Sequence, residues 1–185
     1  MKKGKFVGRA GEKLDFALEY FKIDVADKIC ADFGSSVGGF VDCLLQHRAK
    51  KVYAVEKGYG VLDWNLRKNP QVVVMERTNA IHVQLPEKVD LITIDTSWTK
   101  QEKILPNALE NLKPKGRIVT LIKPHYEVGI AKLTGAEAEK IAQQVAQSLK
   151  AFGLNLKGFA KSPILGGKAG NCEYLVLLER IVEKS

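Results

Sequence analysis

Apolar residues recur along this chain in short runs that alternate with helical stretches. Seven runs have the length and the β-branched content of strands, and they cover residues 28–33, 51–55, 71–75, 89–94, 117–122, 155–160 and 174–178. A loop and mostly a helical stretch follow each of the first five, which is typical of parallel strands joined by right-handed crossovers. The last two are separated by a glycine-rich segment, which favours an antiparallel hairpin. The pattern predicts an α/β fold with a seven-stranded, Rossmann-like sheet, helices on both faces and a reversed final strand.

Helical spacing of apolar residues is clearest in two further segments. Residues 11–21 form a predicted helix ahead of the sheet, and Lys13 lies at the edge of its apolar stripe. Residues 134–152 form the longest predicted helix, which stops at Gly153. Trp64 lies in a shorter helical stretch between two leucines, and we expect it to be a core residue.

A glycine-rich loop follows the first predicted strand and opens a helix. Residues 32–39 read Asp-Phe-Gly-Ser-Ser-Val-Gly-Gly. Glycines let the backbone turn tightly and approach a ligand, while the amides at the start of the helix offer donors to it. Open parallel sheets bind ligands at the carboxyl ends of their strands, so this loop predicts a nucleotide-type cofactor site. Its glycine spacing differs from the Gly-x-Gly-x-x-Gly of dinucleotide enzymes. The candidate cofactor-binding residues of the loop are Asp32, Gly34, Ser35, Ser36, Gly38, Gly39 and Phe40.

Two positions beyond the loop extend the predicted site. Glu56 ends the second strand, where an acidic side chain can accept hydrogen bonds from both ribose hydroxyls. Asn79 follows the third strand, where it could meet an adenine edge or serve only as a turn residue. Asp32 is well placed to lie near a cationic ligand centre. Together these features resemble the S-adenosyl-L-methionine site of class I methyltransferases, which makes that molecule the expected cofactor.

Composition narrows the expected partner and compartment. The net charge of +8 and the isoelectric point near 9.3 favour a polyanionic partner such as RNA, although a solvated basic surface without a dedicated partner is the alternative. No stretch approaches the roughly 18 consecutive apolar residues of a membrane helix, and the basic start is not a secretion signal. We therefore expect a cytoplasmic protein with no membrane partner. The three cysteines and three histidines are scattered, so we predict no disulfide framework and no metal site.

Seven segments spread over nearly the whole chain resemble the FtsJ-like ribose methyltransferases. The resemblance is closer still to their TlyA branch, often labelled hemolysin A-like. The segments are residues 8–14, 32–40, 53–60, 76–80, 94–97, 122–127 and 170–175. The resemblance implies a class I methyltransferase fold and 2′-O-methylation of ribose in ribosomal RNA. A Lys-Asp-Lys-Glu set performs the reaction in that family, and segment by segment it falls on Lys13, Asp95, Lys123 and Glu173. Asp95 also counts among the expected cofactor-binding residues.

The chemistry explains these residue types. A ribose hydroxyl is a poor nucleophile, so its proton must be taken as the new bond forms. A lysine can take it only as a neutral amine, which burial and a second lysine favour, whereas Asp95 and Glu173 favour the ammonium form. The sequence leaves this balance open. The resemblance implies that Lys123 is the base, that Lys13 positions the hydroxyl or a phosphate, and that both acids orient the lysines. Independently of the family, Asp95 and Lys123 each directly follow a buried apolar strand on the same edge as Gly34.

The resemblance also implies a small RNA-binding domain ahead of the methyltransferase fold, whereas this sequence begins almost at the catalytic helix. We therefore expect one methyltransferase domain over residues 1–185, with ribosomal RNA or a ribosomal subunit held by basic clusters or by a partner. The basic clusters are Arg48-Lys50-Lys51, Arg67-Lys68, and Lys161 with Lys168. Trp98 could stack on a base or pack partly buried.

Three other functions stay open on the sequence alone. They are a non-catalytic module that binds cofactor and RNA, a small-molecule methyltransferase on the same fold, and membrane lysis. Lysis, which the hemolysin label suggests, has the least support because the chain has no amphipathic or membrane-length segment. The sequence carries no signal for the oligomeric state.

Overall fold

The computed structural model describes residues 4–167 and 170–181, and its strands form one mixed sheet. The strands are β1 Ile29–Phe33, β2 Lys51–Val55, β3 Val72–Met75, β4 Val89–Ile94, β5 Leu112–Ile122, β6 Leu154–Lys161 and β7 Tyr174–Arg180. Their order in the sheet is β3-β2-β1-β4-β5-β7-β6. Strands β1 to β5 pair in parallel, and β7 runs antiparallel to both β5 and β6. The predicted seven-stranded sheet with a reversed final strand is confirmed.

Strand β5 begins earlier than predicted. The sequence Lys113-Pro114-Lys115-Gly116 suggests a turn, yet the structure continues β5 back to Leu112. Its register against β4 shifts between Val89 and Leu91. Proline cannot donate to a strand ladder and glycine weakens one, so this first part of β5 is extended but irregular. Its lysines therefore lie at the amino edge of the sheet.

Within residues 4–167 and 170–181, six helices and one 3-10 helix surround the sheet. They are α1 Ala10–Tyr20, α2 Gly39–Gln46, α3 Trp64–Lys68, α4 Gln101–Asn111, α5 Pro124–Val128, α6 Gly135–Ser148 and the 3-10 helix Leu149–Phe152. The predicted helix over 134–152 corresponds to α6 and the 3-10 helix, and it ends at Gly153, whose φ of +74° suits glycine. Within the described ranges, none of the helices combines the length and the apolar content of a membrane span.

Each face of the sheet carries its own apolar core. Along β7, Tyr174 and Val176 pack into the core beneath α4 and α6, while Leu175 and Leu177 pack into the core beneath α1 and α2. This alternation follows from the two-residue period of a strand. Helices thus cover both faces as predicted, and the edge formed by the carboxyl ends of the parallel strands is left to carry a site.

The prediction that Trp64 is a core residue is wrong. Its side chain is 62% exposed, whereas Leu62 and Leu66 are buried. Residues two positions apart do not share a helix face, so burying both leucines turns the tryptophan outward. Its ring instead lies 4.5 Å from the amine of Lys68.

Candidate active site

The end of β5 and the start of β7 bring two of the predicted catalytic residues together. Ile122 pairs with Tyr174 across these antiparallel strands. Lys123 follows Ile122 and Glu173 precedes Tyr174, so each is the next residue toward the same edge of the sheet. Antiparallel geometry therefore places Lys123 and Glu173 side by side at the carboxyl edge.

Asp95 reaches this edge from β4, beside the glycine loop. Its backbone N–H donates to the carbonyl of Phe33 at 3.1 Å, which fixes Asp95 against Gly34. Gly34 has a φ of +92°, and a Cβ there would lie 2.8 Å from the Asp95 carbonyl oxygen. Only glycine fits this position without a shift of the backbone.

The four predicted catalytic residues form two ion pairs. Lys13 Nζ lies 2.5 Å from Glu173 Oε2, and this pair is buried, with only 5% and 4% of the two residues exposed. Lys123 Nζ lies 2.5 Å from Asp95 Oδ1, with 11% and 15% of the two side chains exposed. The angles of this second contact are not those of a hydrogen bond, and the Lys123 amine also donates to the Thr96 carbonyl at 3.3 Å.

Two adjoining cavities follow the carboxyl edge. The smaller, of about 220 Å³, is lined by Asp32, Gly34, Ser35, Ser36, Gly39, Phe40, Asp95 and Lys123, together with the residues that precede α1. The larger, of about 340 Å³, is lined by Glu56, Asn79, Ile81 and further residues after β3 and β4. Gly34, Ser36 and Asp95 line both. Of the predicted cofactor-binding residues, Gly38 alone lines neither cavity; it is the N-cap of α2, with a φ of +101°.

Asp32 is a buried acid at the wall of the smaller cavity. It is 1% exposed, and Thr93 Oγ1 donates to its carboxyl at 2.7 Å. Burial raises the pKa of Asp32 to about 8, against the Thr93 hydrogen bond that lowers it, and the charges of Asp95 and Glu56 add to the increase. A cationic ligand group here would reverse that effect by favouring the carboxylate. Sequence reasoning missed Thr93, although a lone hydroxyl in the apolar run of β4 was a signal for it.

Glu56 and Asn79 occupy the larger cavity as predicted, and both also shape the loops. The Glu56 carboxylate accepts hydrogen bonds from the backbone of Ser36 at 2.9 Å and of Gly58 at 2.8 Å. Since a carboxylate has about four acceptor positions, it retains capacity for two ligand hydroxyls. Asn79 Oδ1 accepts a hydrogen bond from the Ile81 N–H at 3.1 Å, so the side-chain oxygen stabilises the turn as expected. Its amide N–H groups make no hydrogen bond to the described residues.

The amides of the glycine loop are engaged within the protein, whereas the expected donors at the start of the helix, the N–H groups of Gly39 to Val41, make no hydrogen bond to the described residues. Gly34 and Ser35 both donate to the Val55 carbonyl, at 2.9 and 3.1 Å, and the Gly38 amide donates to the Ser35 carbonyl at 2.8 Å. The Ser36 amide is held by Glu56. These four N–H groups are therefore not free donors for a ligand; instead they fix the shape of the loop.

An aromatic cluster that the sequence analysis largely missed stands beside Lys123. Trp98 is 80% exposed, and its ring centroid lies 4.4 Å from that of Tyr126. Tyr126 also contacts His125 at 4.1 Å, and the Lys123 amine lies 5.8 Å from the Tyr126 ring. Burial lowers the pKa of His125, whose Nδ1 is buried without a hydrogen-bond partner among the described residues. Trp98 is therefore not packed partly buried, which was one of the two roles expected for it, and base stacking stays a prediction.

One further polar cluster lies apart from the cavities, between α1 and α2. The carboxyl of Asp15, the thiol of Cys43 and the imidazole of His47 lie within 4.8 Å of one another. Both oxygens of Asp15 are already engaged, one by His47 at 2.8 Å and the other by Lys5 at 2.6 Å. Burial raises the pKa of the Cys43 thiol, so the cluster is an ion-pair network beside a neutral thiol.

Some side chains of the predicted basic clusters have an acidic partner and others do not. Lys51 pairs with Glu87 at 2.7 Å and Arg67 with Glu76 at 2.5 Å, so both are neutralised locally. Arg48 is exposed and makes no ion pair within the described part of the chain. Lys168 lies outside the described residues.

Comparison with known proteins finds a matching family and similar relatives. A family model described as FtsJ-like methyltransferase matches residues 6–180. YqxC of Bacillus subtilis, a candidate rRNA methyltransferase, is 40% identical over an alignment of 188 positions that includes 94% of this chain and 66% of the relative. The 16S/23S rRNA (cytidine-2′-O)-methyltransferase TlyA of Mycobacterium tuberculosis is 37% identical over an alignment of 191 positions that includes 97% of this chain and 70% of the relative.

A solved structure is also similar to this chain over nearly its whole length. A candidate hemolysin from Streptococcus thermophilus superposes with a TM-score of 0.90 at 35% identity, over 97% of this chain and 68% of that one. The chain thus spans about two thirds of the length of these relatives. The predicted class I methyltransferase fold is confirmed.

Proposed function

The chain belongs to the FtsJ-like methyltransferase family, and on that premise we propose that it methylates a ribose 2′-hydroxyl of ribosomal RNA. A relative that is 37% identical is named for 2′-O-methylation of cytidine in 16S and 23S rRNA, which supports this substrate class. When bound, S-adenosyl-L-methionine supplies the methyl group from a sulfonium centre. Ribosomal RNA as substrate would place the protein in the cytoplasm, with the RNA or a ribosomal subunit as its partner.

The residues of the two cavities fit this cofactor. Glu56 and Asn79 would hold the nucleoside part, since Glu56 keeps acceptor capacity and Asn79 keeps amide donors. Asp32 would hold the cationic part, because a buried acid with a raised pKa gains most from a nearby positive charge. Gly34 lies between them and, having no side chain, would let the backbone approach the cofactor closely.

The observation that carries the proposal is that Lys123 and Asp95 line the same cavity as Asp32 and Gly34. The Lys123 amine is held at the cavity by Asp95 and by the Thr96 carbonyl. We assign it as the general base: once the ammonium of the ion pair has lost its proton to water, the neutral amine accepts the proton of the ribose hydroxyl as the oxygen is methylated. Asp95 then stabilises the ammonium that results, and the partial exposure of the pair lets the proton pass to water.

Lys13 and Glu173 have a different part in this proposal. Neither lines either of the two cavities at the carboxyl edge, and their ion pair is buried. Lys13 neutralises Glu173, which lies beside Lys123 at the paired ends of β5 and β7. We therefore assign Lys13 and Glu173 as positioning residues rather than as contacts of the hydroxyl or phosphate.

The test uses ribosomal subunits from cells that lack this modification. The protein is incubated with them and with cofactor carrying a labelled methyl group, and the label is mapped by nuclease digestion to a nucleotide. Label in a 2′-O-methyl nucleotide, absent with Lys123→Ala and retained with the exposed control Lys140→Ala, is the expected result. Cofactor binding without transfer would show a non-catalytic module, and transfer to nucleosides or metabolites alone would show a small-molecule enzyme.

A further inference from the structure

A third cavity lies at the opposite edge of the sheet, where the strands begin. Its volume is about 400 Å³, larger than either cavity at the carboxyl edge. Three parts of the chain form it: the segment between α1 and β1, the start of β4, and the early, irregular part of β5. We call it the basic groove. No residue of the proposed active site lines it.

Five basic and two acidic side chains line the basic groove. Two of the basic groups already have acidic partners: Lys113 lies 2.9 Å from Asp90, and Arg117 lies 2.8 Å from Glu179. The remaining three, Lys22, Lys28 and Lys115, are exposed and make no ion pair to any residue that the structure describes. The second acid of the lining, Asp24, has no ion-pair partner among the described residues and offsets one of these charges, so the groove keeps a net positive charge.

The floor of the basic groove is rigid. Ile23, Val25 and Leu91 are 7%, 1% and 2% exposed and belong to the core beneath α1 and α2. The three unpaired lysines thus project from fixed backbone around a concave surface. Such an arrangement holds an extended anion at several points at once.

Helix ends explain only part of this charge. Lys22 follows the C-terminus of α1 with a φ of +53°, where a cation interacts favourably with the helix dipole. Lys28 precedes β1 and Lys115 lies within β5, so no helix end accounts for either. Their positions are explained if the groove itself binds an anion.

We propose that the basic groove binds backbone phosphates of a second segment of the RNA substrate, an inference that rests on the proposed function. The lining contains no Asn, Gln, Ser or Thr that could read base edges, and lysines recognise phosphate as point charges. The six residues of β4 separate this groove from the active site by about 20 Å. Only a folded RNA, with two segments on opposite sides of the domain, reaches both.

The experiment compares two triple variants with equal loss of charge. One carries Lys22→Gln, Lys28→Gln and Lys115→Gln, and the control carries Lys103→Gln, Lys140→Gln and Lys150→Gln at exposed positions elsewhere. Affinity for a folded ribosomal RNA domain is measured by filter binding from 50 to 300 mM salt. The groove variant should bind about tenfold or more weakly, and its log–log salt slope should fall by about 2 to 3 relative to wild type. The control should keep the wild-type slope, and thermal melting should show both variants folded.

Methyl transfer separates this inference from the proposed function. For the groove variant we expect a raised KM and an unchanged kcat on the folded RNA domain, and wild-type kinetics on a short RNA that fills only the active site. Equal salt slopes for the two triple variants would overturn the basic groove as an RNA site while leaving methyl transfer intact. Tight binding of inorganic tripolyphosphate with no change in RNA affinity would also overturn it, in favour of a small-anion site. If the wild-type protein methylates no RNA, the proposed function fails, and the salt slopes still decide what the groove binds.

Discussion

Two lysine–carboxylate pairs of equal length stand at one edge of the sheet, and they differ in their access to solvent. The Lys13–Glu173 pair is almost completely buried, whereas the Lys123–Asp95 pair lies at the wall of a cavity. The same kind of lysine–carboxylate contact therefore has two different surroundings at one edge of the sheet. In the proposed mechanism the buried pair holds its neighbours in place, and the accessible pair exchanges protons with the substrate.

Burial also sets what each pair contributes to stability. Charges removed from water lose hydration, and their attraction to each other offsets that loss only while both partners are present. The accessible pair keeps part of its hydration, so removing one partner there leaves a charge that water can reach. Substitution in the accessible pair should therefore lower the rate of methyl transfer, and substitution in the buried pair should lower the free energy of unfolding.

The largest effect should come from the accessible pair. Lys123→Ala removes the proposed base, and general-base catalysis contributes about 10²- to 10⁴-fold, so single-turnover methyl transfer should fall by about a thousandfold. The free energy of unfolding, measured in urea, should change little because Asp95 becomes hydrated. Cofactor affinity by calorimetry should stay within a few-fold. Undiminished transfer by this variant would remove Lys123 from the mechanism.

The buried pair should show the opposite response. Lys13→Met leaves Glu173 as an uncompensated buried charge, which should lower the free energy of unfolding by about 3 to 5 kcal/mol. The double variant Lys13→Met with Glu173→Leu should recover most of that loss, since it removes both charges. Transfer should remain impaired in the refolded double variant, because Lys123 loses its neighbour. A double variant with full activity would show that the buried pair serves stability alone.

A third acid, Asp32, shows the effect of burial on a carboxyl group that has no lysine partner. Its folded-state pKa of about 8 exceeds the ordinary value of 3.8, so between these values the folded protein holds a proton that the unfolded chain has lost. Stability should therefore fall as pH rises, by about 1.4 kcal/mol per pH unit between pH 5 and 7 from this group. Asp32→Asn should remove that slope in urea unfolding at both pH values. An unchanged slope would show that Asp32 is ionised in the folded protein.

The smallest effect is expected on the open side, beside Lys123. Trp98→Ala should raise the KM for RNA about tenfold, as base stacking on an aromatic ring contributes about 1 to 3 kcal/mol. Trp98→Phe should restore most of it, and neither variant should change stability, because the ring is 80% exposed. An unchanged KM for Trp98→Ala would show that the ring does not bind RNA and only packs against Tyr126.

The sequence predicted the strands and the edge of the sheet well, because those features depend on local apolar runs. Asp95 and Lys123 were recognised as site candidates from their positions directly after two such runs. The start of β5 was missed because a proline and a glycine imitate a turn there. Trp64 was misplaced because its helix is only five residues long and buries Leu66, two positions away, on another side.

The pairing within the site could not be predicted from spacing. Lys13 was placed at the edge of an apolar stripe, and its burial follows only from its contact with Glu173. That contact requires β7 to insert between β5 and β6, which is a property of the whole sheet. The Val55 carbonyl that holds the Gly34 and Ser35 amides likewise comes from the neighbouring strand.

The contact between Lys13 and Glu173 spans 160 positions of the chain, which has a consequence for the order of synthesis. A nascent chain has made α1 and most of the sheet long before Glu173 leaves the ribosome, and until then Lys13 has no partner. Contacts between distant positions also form late in folding, because the loop between them must close first. The protein should therefore gain activity only after β7 has been translated, so that a chain stopped before β7 is inert toward RNA.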